Sequence, residues 1–190
     1  MYHPRLRQSL RRHGVALFAA LALHGAHAGA PEPQFQAAFA QFQHALEGDD
    51  DATEQAAEAF GRLAQAEPAD PVLQAYAGAA VAMKARSTLL PWKKMGYAEE
   101  GLARIDKALA LLQPAHDTLL HRGTPASLET RFVAATTFLG MPPMFHRHAR
   151  GAALLEQVLS SPLFAQSPQP FQATVRARAA QLQPQQAAAK

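Results

Sequence analysis

Cysteine is absent from all 190 residues. That excludes disulfides, thiolate metal sites, a cysteine nucleophile and a lipid-modified cysteine anchor. Long apolar runs are also missing. Val15 to Leu23 is uninterrupted but only nine residues long, and spanning a bilayer takes about 20. No Gly-x-Ser-x-Gly and no Gly-rich phosphate loop occurs, so the usual signatures of acyl and phosphoryl transfer are not there. Valine and isoleucine are scarce beside alanine and glutamine. This bias favours helix over sheet, and no stretch shows the two-residue alternation of a strand.

What stands at the N-terminus has the pattern of a cleavable export signal. Arg5, Arg7, Arg11 and Arg12 precede the apolar run, and Ala26-His27-Ala28 places small residues at −3 and −1 of a cleavage site. The expected processed chain begins at Gly29, in the periplasm or outside the cell. Removing residues 1–28 takes four arginines with it. The remainder has 14 Lys+Arg against 15 Asp+Glu, a formal net of −1. A near-neutral domain gives no electrostatic case for DNA, RNA or anionic lipid. Roughly 160 residues suit one domain, expected over 29–183, with 184–190 as a disordered tail.

Apolar spacing predicts an all-α domain of about seven helices. Phe35, Ala38, Phe39, Phe42 and Leu46 form one stripe on a helix over 34–46. Asp51 with Glu54 resembles a capping box for a second helix over 52–66. Asp70-Pro71 starts a third, running to about Arg86. A fourth is expected over 94–112, with Leu102, Ile105 and Leu109 facing in. Thr124-Pro125 opens a fifth, and the last two cover about 147–160 and 169–183.

Helices two, four and six share a pattern of small, large apolar and apolar residues. It reads Ala56-Phe60-Leu63, Gly101-Ile105-Ala108 and Gly151-Leu155-Val158, with a proline soon after each copy. In this pattern the chain resembles the tetratricopeptide-repeat family, whose second helices carry such residues at these steps. The small residue lets two antiparallel helices approach, and the larger ones fill the groove to the next unit. Copies here stand 45 and 50 residues apart, against a usual period of about 34. The extra length is expected at 87–94 and 141–146, between paired helices.

The resemblance implies antiparallel pairs stacked in a short right-handed superhelix, and binding of a protein or peptide without turnover. Its concave surface would be lined by helices three and five, with Arg131 as a contact. Independently, the two insertions place aromatics beside cations: Trp92, Lys93, Lys94 and Tyr97 in one, Phe145 and Arg147 in the other. Trp, Tyr and Arg often dominate interface energies, although such side chains can equally fold back over the helices with their charges in water.

The five histidines after residue 28 lack the spacing of a helical metal pair. His146 and His148 are two apart, and His116 and His121 five apart. No metal, cofactor or catalytic residue is therefore assigned. The alternative reading is a helical bundle that binds a small molecule or metal through the histidine-bearing loops.

Overall fold

The computed structural model describes residues 32–188. The expected export signal and the cleavage site after Ala28 lie outside them. The fold is all-α. Seven helices lie among the described residues: α1 (Glu32–Leu46), α2 (Asp50–Ala66), α3 (Pro71–Ser87), α4 (Pro91–Ala110), α5 (Ala126–Gly140), α6 (His148–Ser160) and α7 (Gln169–Ala188). The last continues past Gln183, where the sequence reading ended it.

Asp70 caps α3 as its position before proline suggests, with Oδ1 accepting from the amides of Val72 and Leu73 at 2.8 and 3.1 Å. The cap of α2 is Asp49, not Asp51: its Oδ1 accepts from the Ala52 amide at 2.9 Å. Starting on the first of three aspartates leaves Asp50 and Asp51 in the first turn, where the helix dipole favours them. Glu54 then faces sideways and pairs with Lys84 of α3 at 2.7 Å.

Neighbours in sequence pack as pairs, α1 on α2, α3 on α4 and α5 on α6. α3 also touches α1, α2 and α5. Every residue from Pro71 to Ala80 is consequently buried. The nine residues of the repeated pattern are buried as well, each on the face its helix turns to a neighbour. The closest approach is at Gly78 and Gly101. A Cβ on Gly101 would lie 2.7 Å from the Ala82 Cβ, the Ala82 nitrogen and the Gly78 oxygen. Gly151 similarly meets Leu139 and Ala135 of α5.

Residues 141–147 link α5 to α6 around a 3-10 turn (Pro143–Phe145), as the sequence reading expected, but the insertion expected at 87–94 is placed differently. α3 and α4 are joined by residues 88–90 alone, so Trp92, Lys93 and Lys94 sit in the first turn of α4. Pro91 at the first helical position favours that early start, because its missing N–H would have no partner there anyway. Further surplus lies between α4 and α5. There a 3-10 turn (Pro114–Asp117) leads into a hairpin of β1 (Leu120–His121) and β2 (Thr124–Pro125). Arg122 and Gly123 form its turn with φ of 51° and 76°, the doubly left-handed shape that fits strand twist. Strands of two residues are too short to show alternation.

Candidate functional site

Three regions concentrate chemistry or exposed apolar surface. The first is a buried polar cluster that sequence reasoning missed. The hairpin delivers His121 and Arg122 against α1, α3 and α5. His121 Nε2 lies 3.0 Å from Asp70 Oδ2, both side chains being buried, and its ring packs on Phe35. Arg122 lays its guanidinium 3.7 Å from the Phe39 ring centre. It donates to Glu129 Oε1 and, at 3.3 Å, to the Tyr76 hydroxyl. Tyr76 donates to the same Glu129 oxygen at 2.6 Å.

Burial and the Glu129 charge hold the Tyr76 phenol well above its ordinary range, so it stays a donor. Burial alone would raise the Asp70 pKa. The His121 partner and the Val72 and Leu73 amides reverse this and hold it down. Burial likewise opposes the His121 charge, but Asp70 dominates and raises that pKa, with Glu129 and Glu32 adding to the effect. A histidine–carboxylate pair can serve acid–base chemistry. Here both members are sealed inside the protein and Asp70 also caps α3, so the arrangement fastens the hairpin to the helices. No local motif announces it, because Asp70 and His121 are 51 residues apart and Tyr76 and Glu129 are 53 apart.

The second region is the corner between α3 and α4. Leu89 is 94% exposed and Trp92 70%, with Leu90 and Met95 also open. Lys93 and Lys94 are exposed beside them. The third is an open groove of about 370 Å³ between α6 and α7, lined by Ala149, Ala152, Ala153, Leu155, Leu159 and Leu182 among others.

The seven residues expected to bind a partner do not come together. Trp92, Lys93 and Lys94 share the corner. Tyr97, one turn on, is half-buried with the Lys84 ammonium 4.7 Å above its ring. Arg131 is half-buried and donates to the Ser127 carbonyl of its own helix at 3.2 Å. Phe145 is half-buried against the core. Arg147 donates to both oxygens of Asp106, at 3.3 and 2.9 Å, and Arg150 joins the same carboxylate at 2.5 Å. Phe145 and Arg147 thus tie α6 to the rest of the molecule. The hairpin binds near the N-terminal ends of α3 and α5, through His121 to Asp70 and through Arg122 to Tyr76 and Glu129.

His148 Nε2 lies 2.7 Å from the Met141 carbonyl, while His146 is exposed. Among the described residues no group of three or more His, Asp or Glu side chains could share a metal ion. Nor is any helix among them long and apolar enough to cross a membrane. Comparison with protein-family models, curated proteins and solved structures returned no match.

Proposed function

We propose that this protein is an exported, non-catalytic scaffold of tetratricopeptide-like helix pairs that binds a protein or peptide in the cell envelope. The observation that carries the reading is the groove between α6 and α7. In a stack of helix pairs each unit covers the apolar face of the one before. α7 covers α6 only in part, and the strip between them is lined by four alanines together with Leu155, Leu159, Leu182 and Glu156. Short side chains leave hollows into which an incoming segment can set larger apolar ones, as in helix-in-groove recognition. Close glycine contacts at Gly101 and Gly151 support a rigid arrangement behind it. The N-terminal pattern of arginines, apolar run and Ala26-His27-Ala28 supports export.

Two measurements test this. Ala153 is exposed in the groove, and an Ala153→Arg change should leave the melt intact while abolishing partner capture from an envelope extract. Capture that survives the change rejects the groove. N-terminal sequencing of the exported chain should begin at Gly29, and an intact Met1 in the envelope fraction would reject export.

A further inference from the structure

Most of the exposed large hydrophobic side chains gather at one end of the described structure. Leu89, Leu90, Trp92 and Met95 form the α3–α4 corner, and Leu46 ends α1. The Arg86 guanidinium donates to the Ala45 carbonyl at 3.3 Å, which sets the end of α1 beside the end of α3. Trp92 and Met95 are three residues apart on α4 and share a face. Leu89 stands almost fully in water on the linker before it.

Charge is distributed just as unevenly. From Pro71 through Ala98 the chain carries Lys84, Arg86, Lys93 and Lys94 and no acidic residue. Lys84 is neutralised by Glu54 of α2. Lys93 and Lys94 have no ion-pair partner among the described residues. The nearest acids are Glu47, Asp49, Asp50 and Asp51 of the neighbouring α1–α2 corner, where Asp49 caps α2, and Glu99 and Glu100 further along α4. A net charge of −1 over the processed chain conceals this local pairing of two unneutralised lysines with exposed apolar side chains, with the acids of the α1–α2 corner alongside.

We propose that the α3–α4 corner docks the protein on an anionic lipid surface, with Leu89 and Trp92 entering the headgroup layer and Lys93 and Lys94 meeting lipid phosphates. The shape favours lipid over a protein partner. Leu89 and Trp92 stand in water without lining the described groove, so they suit a medium that moulds around them, and the groove suited to a peptide lies elsewhere, between α6 and α7. Tryptophan settles at the boundary of headgroup and acyl chain, and clustered lysines add attraction to anionic leaflets. Docking of this kind is peripheral and reversible. It is independent of the groove and of the partner reading drawn from it.

Trp92 is the only tryptophan in the chain, so its fluorescence reports on this corner alone, whatever the N-terminal apolar run does. The full chain is titrated with phosphatidylcholine vesicles with and without phosphatidylglycerol. With phosphatidylglycerol the emission should shift to the blue, acrylamide quenching should fall and bromine-labelled acyl chains should quench. Lys93→Glu with Lys94→Glu should weaken the response at least about 25-fold, two lysines near an anionic surface contributing about fivefold each. Leu89→Ser should weaken it as well, and neither variant should change the melt. Raising the salt should weaken it further. Unchanged Trp92 emission in phosphatidylglycerol vesicles overturns the proposal, as does an equal shift in phosphatidylcholine alone. A blue shift produced only by lipid-free envelope protein overturns it in favour of a protein contact.

Discussion

Replacing Gly101 by alanine should destabilise the protein, although the same change is normally favourable in a helix. Alanine exceeds glycine by about 1 kcal/mol in helix propensity, and that gain applies to any mid-helix glycine of α4. At Gly101 the added Cβ meets three atoms at 2.7 Å, two of them backbone atoms of Gly78 and Ala82. Ordinary contact begins at 3.4 Å, and backbone cannot rotate aside, so α3 and α4 must part by about 0.7 Å along that line. A gap of this size forfeits roughly a quarter to a half of each dispersion contact across the interface. Overpacking typically costs about 1–3 kcal/mol, occasionally more, and the tightness here argues for the upper end. The net expectation is a loss of about 1–2 kcal/mol, roughly 2–8 °C in melting temperature for a domain of this size. Gly96 provides the control five residues earlier on the same helix. It has nothing within 4 Å of its would-be Cβ, so Gly96→Ala should raise the melting temperature by about 2–4 °C. Thermal and urea melts of the two variants decide the matter. If Gly101→Ala stabilises as much as Gly96→Ala, the close crossing of α3 and α4 is wrong, and with it the physical basis of the repeated pattern.

The remaining predictions concern the core, the polar cluster and the corner. Phe60 is fully buried between α1 and α3, and Phe60→Ala should cost about 3–5 kcal/mol in a urea melt. Arg122→Met leaves the Glu129 carboxylate buried without its cation and should cost about 3–5 kcal/mol. Tyr76→Phe removes one donor to it and should cost only about 1–3, and reversal of that order would refute the charge-based account of the hairpin. The His121 pKa is raised above its ordinary 6.5, so its contribution is complete below pH 6.5 and is lost as pH rises through the raised value. Asp70 is lowered from 3.8, so its share is present above pH 3.8 and lost as pH falls through the lowered value. Stability should therefore decline as pH rises above 6.5, and His121→Leu should be less stable overall but should largely lose that decline. Trp92→Ala should leave the melt within about 0.5 kcal/mol of the parent, as for an open surface position.

The helices were legible because their apolar residues recur at three- and four-residue steps and because aspartate-proline and proline breaks punctuate them. Ala56, Gly101 and Gly151 stood out for the same reason, since small residues at matched steps imply close helix contact. Legibility failed where structure depends on distant partners. Nothing near Glu129 shows that it is buried, because the cation that makes its burial tolerable arrives on a hairpin. The hairpin was invisible for want of length, and its turn uses Arg122 where asparagine or aspartate more often precedes the glycine. The surroundings of Trp92 and Phe145 looked alike in sequence, each an aromatic beside cations. An aspartate on α4 separates them, engaging Arg147 and leaving the lysines beside Trp92 free.

That hairpin also changes how the molecule must come apart. In an array where each helix pair touches only the next, terminal units can fray or be deleted one at a time, and stability is close to a sum over neighbours. Arg122 ends this independence, because a single side chain stacks on Phe39 of α1, bonds Tyr76 of α3 and holds Glu129 of α5. Deleting α1 would strip the aromatic cover from a cation on which the third pair relies. Shortening from the front should therefore collapse the domain in one step, with no smaller stable core left behind. The contact spans much of the chain, so it can close only after α1, α3 and α5 have met.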